Sequence, residues 1–143
     1  MRAIEKGASA KVYRLGQITG DSNTGTSHAD KDHMMLEIKA CAQMHAAPDW
    51  QDWRSYVPAD LAADLMAFIA FDDTAENNAY TINNPKLLAW MEIISTLNQL
   101  AYHIDLIAES KWIELLKQAK PDNALVPLKS AYQTPGYLTR YMP

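Results

Sequence analysis

Residues 87–108 read LLAWMEIISTLNQLAYHIDLIA, and their apolar residues recur with the period of an α-helix. Ile93, Leu100 and Ile107 widen a stripe formed by residues at heptad a and d positions. These residues are Leu87, Trp90, Ile94, Leu97, Ala101, Ile104 and Ala108. Such a wide stripe predicts a helix that packs in a bundle. The pattern continues to Leu116, but Lys111 falls on the stripe, which predicts a kink or a second helix over 110–120.

The same stretch contains polar side chains that would be costly in lipid. They are Glu92, Asn98, Gln99, His103 and Asp105. We therefore interpret it as a helix of a protein core and expect no contact with a membrane.

The distribution of glycine predicts that the middle of the chain is helical. All five glycines lie at positions 7, 16, 20, 25 and 136. Tight hairpins usually need glycine. Helices joined by Pro and Asn breaks are therefore expected in the glycine-free stretch 26–135. Two of these helices are predicted over 30–46 and 58–72, and Pro58 suits the first turn of the second. The predicted fold class is all-α, a small helical bundle of three to four main helices.

The two ends of the chain have different patterns. Residues 1–29 predict an N-terminal arm with a short strand or hairpin and a mobile loop, because a brief alternation precedes a cluster of Gly, Ser, Thr and Asn. Residues 121–143 contain four prolines and three tyrosines without a helical period, which predicts an extended C-terminal arm. The helical domain, 30–120, lies between them. At 143 residues the whole is expected to form a single domain.

Cysteine usage and charge indicate a cytoplasmic, acidic protein. Cys41 has no second cysteine to pair with, which suits a reducing compartment, and no apolar leader is visible at the start of the chain. The formal net charge is −4 and the pI is near 5.5. Residues 28–76 carry ten acidic groups against three basic ones, a net of −7.

Four residue types that can bind a metal recur every four positions: His33, Glu37, Cys41 and His45. His33 and His45 are about 18 Å apart along a helix, whereas zinc lies roughly 2.3 Å from its ligands, so the four cannot share one ion. Alternatively, Cys41 and His45 belong to a core-facing stripe and His33 pairs with Glu37. We predict that the protein binds no metal and no cofactor. A second prediction is a metal-binding enzyme or regulator, for which these four residues are the candidate ligands.

Motifs for covalent or nucleotide chemistry are absent from the sequence. It contains no G-x-S-x-G, no G-x-G-x-x-G and no complete phosphate-binding loop. The nearest is GDSNTGTS, residues 20–27, where Thr26 stands in the place of the lysine. No catalytic residue is predicted.

The acidic balance has the wrong sign for direct binding of nucleic acid. The acidic middle segment allows the opposite arrangement, a decoy that occupies a nucleic-acid-binding protein.

Aromatic residues supply the candidates for binding a protein partner. Trp, Tyr and Arg are enriched where proteins meet, and the candidates are Trp50, Trp53, Tyr56, Tyr132, Tyr137, Arg140 and Tyr141. The alternative is that they pack on their own subunit. We expect a non-enzymatic protein–protein interaction protein, an assembly subunit, adaptor or inhibitor of a larger complex, that binds another protein or self-associates as an oligomer.

Overall fold

The computed structural model describes residues 2–7 and 10–134, without the side chains of residues 2 and 3. The chain divides into two compact units. Unit 1 comprises Met1–Ser27 and Ser55–Leu87, and unit 2 comprises His28–Arg54 and Leu88–Pro143.

Helices and short strands are interspersed along the described residues. In chain order the elements are α1 (Arg2–Glu5), β1 (Val12–Leu15), β2 (Gln17–Thr19), α2 (His33–Met44), β3 (Ala46–Pro48), β4 (Trp53–Arg54), β5 (Tyr56–Pro58), α3 (Ala59–Phe71), β6 (Ala79–Ile82), β7 (Leu88–Ala89), α4 (Trp90–Gln99), β8 (Asp105–Ile107), α5 (Glu109–Lys117), a 3-10 helix (Val126–Leu128) and α6 (Lys129–Tyr132).

The prediction of an all-α bundle is wrong. Eight strands are interspersed with the helices of the described residues, and three of their four strand pairs are parallel, namely β1–β6, β2–β5 and β3–β8. Parallel pairs need long crossover connections, which here contain helices. The fold is therefore α/β.

Unit 1 has a small core to which β5, β6 and α3 contribute. Val57, Ala62 and Ile82 are its buried residues. Gly16 lets two chain segments approach closely, because a Cβ there would lie 2.8 Å from Oδ1 of Asn83. Lys11 fixes the end of α3 by donating hydrogen bonds from Nζ to the carbonyl oxygens of Ile69, at 2.7 Å, and Asp72, at 3.0 Å.

Unit 2 contains the larger core, built around three tryptophans. The ring centroid of Trp50 lies 5.3 Å from that of Trp90 and 5.7 Å from that of Trp112. Trp90 also donates its indole N–H to the carbonyl oxygen of Pro48, at 2.8 Å. These contacts satisfy the geometry that aromatic pairs prefer.

Two of the three predicted helices are confirmed. The helix predicted over 30–46 is α2. Its N-cap is Asp32, whose side chain accepts a hydrogen bond from the backbone N–H of Met35. The helix predicted over 58–72 is α3.

The third, predicted to continue from Leu87 towards Leu116, is wrong as one helix, but the second helix predicted over 110–120 is confirmed as α5. The stretch divides into β7, α4, β8 and α5. α4 ends in a Schellman motif: Tyr102 N–H bonds Leu97 O and Ala101 N–H bonds Asn98 O. Ala101, with φ 65°, occupies the left-handed position that usually belongs to glycine.

The segment predicted as an extended C-terminal arm is compact as far as it is described. Residues 121–134 form turns, the 3-10 helix and α6, and Leu125 and Tyr132 are buried in the core of unit 2. Whether the whole chain is a single domain stays a prediction.

Among the helices of the described residues, none combines the length and the apolar character that a bilayer crossing requires.

Candidate functional site

The densest cluster of charged side chains in unit 2 surrounds Arg54. Nη1 of Arg54 donates a hydrogen bond to Oε2 of Glu37, at 2.8 Å, and Nε donates one to Oδ2 of Asp52, at 2.5 Å. The guanidinium carbon lies 5.3 Å from the ring centroid of Trp50 and 5.4 Å from that of Trp90. The cation is thus held by two carboxylates and by two aromatic faces.

Glu37 projects from α2 into the core, where only 2% of its side chain is exposed. Its second oxygen, Oε1, accepts a hydrogen bond of 2.7 Å from the hydroxyl of Tyr132. The same hydroxyl lies 2.9 Å from Nε2 of His33, whose ring stacks on that of Tyr132. A buried carboxylate is costly unless it is paired and hydrogen-bonded, and both conditions are met here. The cluster can therefore hold α2, β4 and α6 together.

The four metal candidates do not converge. His33 and Glu37 are neighbours, with Nδ1 3.9 Å from Oε1. Cys41 is fully buried, and burial, followed by the negative charge of Glu37, raises the pKa of its thiol. Nδ1 of His45, beyond the end of α2, lies 3.3 Å from the carbonyl oxygen of Tyr102. Over residues 2–7 and 10–134, no three His, Cys, Asp or Glu side chains are placed to hold a metal ion.

The aromatic partner candidates fall into three groups. Trp50, Tyr56 and Tyr132 are buried, whereas Trp53 is 56% exposed. Tyr137, Arg140 and Tyr141 lie outside the described residues. That any of them binds a partner stays a prediction.

The glycine-flanked loop of unit 1, residues 20–25, is filled by carboxylates of the chain itself. Oδ1 of Asp21 accepts hydrogen bonds from the backbone N–H groups of Asn23 and Thr24, at 2.9 and 2.8 Å. Asp60 accepts two from Ser22, from N–H at 2.9 Å and from the hydroxyl at 2.6 Å. N–H groups that could cradle a phosphate are already bonded. This loop does not fit a dinucleotide.

Sequence reasoning missed the roles of Arg54 and Asp52. A signal was available, because Arg54 is the only Lys or Arg between positions 40 and 85 and follows two tryptophans closely. A lone cation beside aromatic residues is typical of a buried ion pair with cation–π contacts.

Comparison with solved structures shows the class of fold to which this chain belongs. It is similar to the terminal R domain from the myxalamid PKS-NRPS biosynthetic pathway, with a TM-score of 0.82, 22% identity, and coverage of 90% of this chain and 33% of that one. This likeness shows that the chain has the α/β fold of the matched third of that domain. No family model matches the chain.

Curated relatives are similar over nearly the whole chain. L-2-aminoadipate reductase of Saccharomyces cerevisiae is 29% identical over 134 residues, covering 89% of this chain and 10% of the relative. Aldehyde reductase lnbA of Aspergillus flavus is 32% identical over 133 residues, covering 90% and 13%. The chain therefore spans about a tenth of the length of these relatives.

These findings overturn the expectation of a non-enzymatic interaction protein. The two relatives above are named as reductases and the solved neighbour is an R domain. The chain therefore resembles a catalytic fold rather than an adaptor, assembly subunit or inhibitor. Neither a metal-dependent regulator nor an acidic decoy receives support from them. The prediction of an all-α helical bundle is wrong because the domain that the chain resembles is α/β.

Proposed function

We propose that this chain is part of a reductase domain that acts on a carbonyl compound. The observation that carries the proposal is the similarity of about nine tenths of the chain to proteins named L-2-aminoadipate reductase and aldehyde reductase. The R-domain fold supports it independently of the sequence match. The two names give aminoadipate and an aldehyde as the compounds that these relatives reduce.

The chain supplies only a portion of such a domain. Hydride transfer in enzymes is commonly carried out by a nicotinamide or flavin cofactor, and dinucleotides are held by a glycine-rich turn before a helix. This sequence lacks that motif, and the loop at residues 20–25 is filled by Asp21 and Asp60. The residues present therefore do not fit the dinucleotide, and we assign its binding to polypeptide beyond this chain.

We also propose that the reductase works in the cytoplasm. Cys41 is the single cysteine of the chain and is a free, buried thiol, which suits a reducing compartment.

The test is an assay of the chain together with the proteins that accompany it in its native host. The chain is purified under mild conditions from host cells, and the oxidation of reduced nicotinamide is followed with an aliphatic aldehyde and with aminoadipate as substrates. We expect oxidation that disappears when the gene is deleted and returns with the wild-type gene. The variant Lys117→Ala, at an exposed ion pair, serves as the matched complementation control. Equal rates with and without the chain would contradict the proposal.

A further inference from the structure

Helix α3 is apolar around nearly its whole circumference. Its sequence is ADLAADLMAFIAF, in which Asp60 and Asp64 are the two charged residues among 13. Ala62 is buried and Met66 packs against the core of unit 1. A helix that is hydrophobic all round is normally buried inside protein, but α3 is buried on this one side alone.

The other side of α3 presents large side chains to solvent. Leu61, Leu65, Phe68 and Phe71 are 45%, 38%, 72% and 86% exposed. Their spacing of four, three and three residues places them along one side of a helix that is about 20 Å long. Contiguous apolar surface of this kind marks an interaction site. We call these four residues the α3 face.

The strands of unit 1 are equally incomplete. Within the described ranges, β1 pairs with β6 alone, and this sheet has two strands. Val12 and Leu15 of β1 are 39% and 42% exposed. Parallel sheets are almost always larger and covered on both faces, so two parallel strands are expected to continue into further strands.

We propose that the α3 face and β1 form the docking surface for a polypeptide that carries the dinucleotide-binding part of the reductase. This inference rests on the proposed function. The chain matches 90% of itself to the R domain but only 33% of that domain, so about two thirds of such a fold lies outside the matched part. An α/β polypeptide that adds a parallel strand and covers α3 satisfies both incomplete features at once.

A second copy of this chain is the main competing occupant. It could cover Phe68 and Phe71 by an isologous contact, but it would bring no dinucleotide site. Identifying the polypeptide that contacts Phe68 therefore distinguishes the two occupants.

The experiment introduces the photo-crosslinking residue p-benzoylphenylalanine in place of Phe68 in the native host. Leu115 of α5, which is 41% exposed in unit 2, is the matched control position. We expect Phe68 to crosslink to a polypeptide in which a strand, G-x-G-x-x-G and a helix follow one another, and Leu115 not to do so. A crosslink to a second copy, to a protein without that motif, or to nothing would overturn the proposal.

A second variant measures the strength of docking. Phe68→Lys leaves the melting temperature unchanged because the side chain is exposed, and it reduces co-purification of the dinucleotide-binding polypeptide about tenfold or more, as loss of an interface hot spot does. Leu115→Lys should retain it, and equal retention by both variants would overturn the proposal.

The failures of the two proposals are distinguishable. A Phe68 crosslink to the expected polypeptide without nicotinamide oxidation preserves the docking surface and removes the reductase function. Oxidation without that crosslink does the reverse.

Discussion

The side-chain amide of Asn98 bonds both backbone polar groups of Ile104. Nδ2 donates to the carbonyl oxygen at 2.9 Å, and Oδ1 accepts from the N–H at 2.7 Å. One side chain therefore replaces two backbone partners and holds the turn between α4 and β8. The chain reverses its direction here without a glycine.

Replacing Ala101 with glycine should stabilise the protein. Ala101 has φ 65°, a left-handed conformation that costs a residue with a Cβ about 1–2 kcal/mol. Part of this gain is lost because glycine makes the unfolded chain more flexible, so we expect a net rise in unfolding free energy of about 0.5–1 kcal/mol. Urea denaturation measures it. The control is Ala63→Gly, the same change on an exposed position of α3, which should lower stability by about 1 kcal/mol. A loss in both variants would contradict the explanation.

Removing the guanidinium of Arg54 should be strongly destabilising. Arg54→Ala leaves the buried carboxylate of Glu37 without its cation, and breaking a buried pair in this way costs about 3–5 kcal/mol. Thermal and urea denaturation measure the loss. The control is Lys117→Ala at the exposed pair with Glu114, which should cost about 0–1 kcal/mol. The double variant Glu37→Gln, Arg54→Met should lose less than Arg54→Ala, and an equal or larger loss would show that the pair is not what holds the cluster.

The hydroxyl of Tyr132 should contribute more than the imidazole of His33. Tyr132→Phe keeps the ring but removes the hydrogen bond to Oε1 of Glu37, and a hydrogen bond to a charged group is worth about 1.5–3 kcal/mol. His33→Ala removes a side chain that is 43% exposed and should cost under about 1 kcal/mol. Differential scanning calorimetry of the two variants compares them. If His33→Ala were more destabilising than Tyr132→Phe, the principal partner of the hydroxyl would be His33 rather than Glu37.

The thiol of Cys41 should react only when the protein opens. Burial and the nearby charge of Glu37 raise the pKa of this thiol, and the thiolate is the reactive form. At pH 8, labelling with a disulfide reagent should be slow in buffer and fast in denaturing urea. Since Cys41 is the only cysteine, the labelling rate reports on a single site. Rapid stoichiometric labelling of the folded chain would contradict the burial of α2.

The loop at residues 20–25 should loosen in acid. Hydrogen bonds from the side chain and then the backbone of Ser22 lower the pKa of Asp60 below its ordinary value of 3.8. A carboxyl whose pKa is lower in the folded state stabilises that state above the ordinary pKa, and the contribution is lost as the pH falls through the folded value. The amide proton resonance of Ser22 should therefore shift below pH 3.8. Asp60→Asn should alter this titration, whereas Asp64→Asn should not.

The helical periods of α2 and α3 were sufficient to predict both helices. The start of α3 was also indicated by Pro58, whereas the cap of α2 is Asp32 and not Asp30 or Ser27, the two residues that the sequence suggested. A short strand was predicted within residues 1–29, where β1 and β2 lie. The later strands were missed because they are two to four residues long, too short to show alternation, and because pairs such as β3 with β8 join residues about 60 positions apart. Absence of glycine was misleading, since His45 and Ala101 adopt left-handed conformations without it.

The candidate site was predicted only in part. The spacing of four residues correctly indicated that His33 and Glu37 are neighbours. Nothing in the spacing could place Arg54 beside Glu37, because their contact depends on how β4 packs against α2. The reductase likeness could not be derived either, since the sequence contains no G-x-G-x-x-G or other motif that indicates hydride transfer.

The α3 face has a consequence for the lifetime of the chain. Phe68 and Phe71 are exposed to solvent. Exposed apolar surface of this kind is bound by chaperones and promotes aggregation and proteolysis. If a companion polypeptide covers this face, as we propose, cells that make the chain in excess of that companion should degrade the surplus. Its abundance would then be set by the supply of the companion, which favours synthesis of the two in fixed proportion.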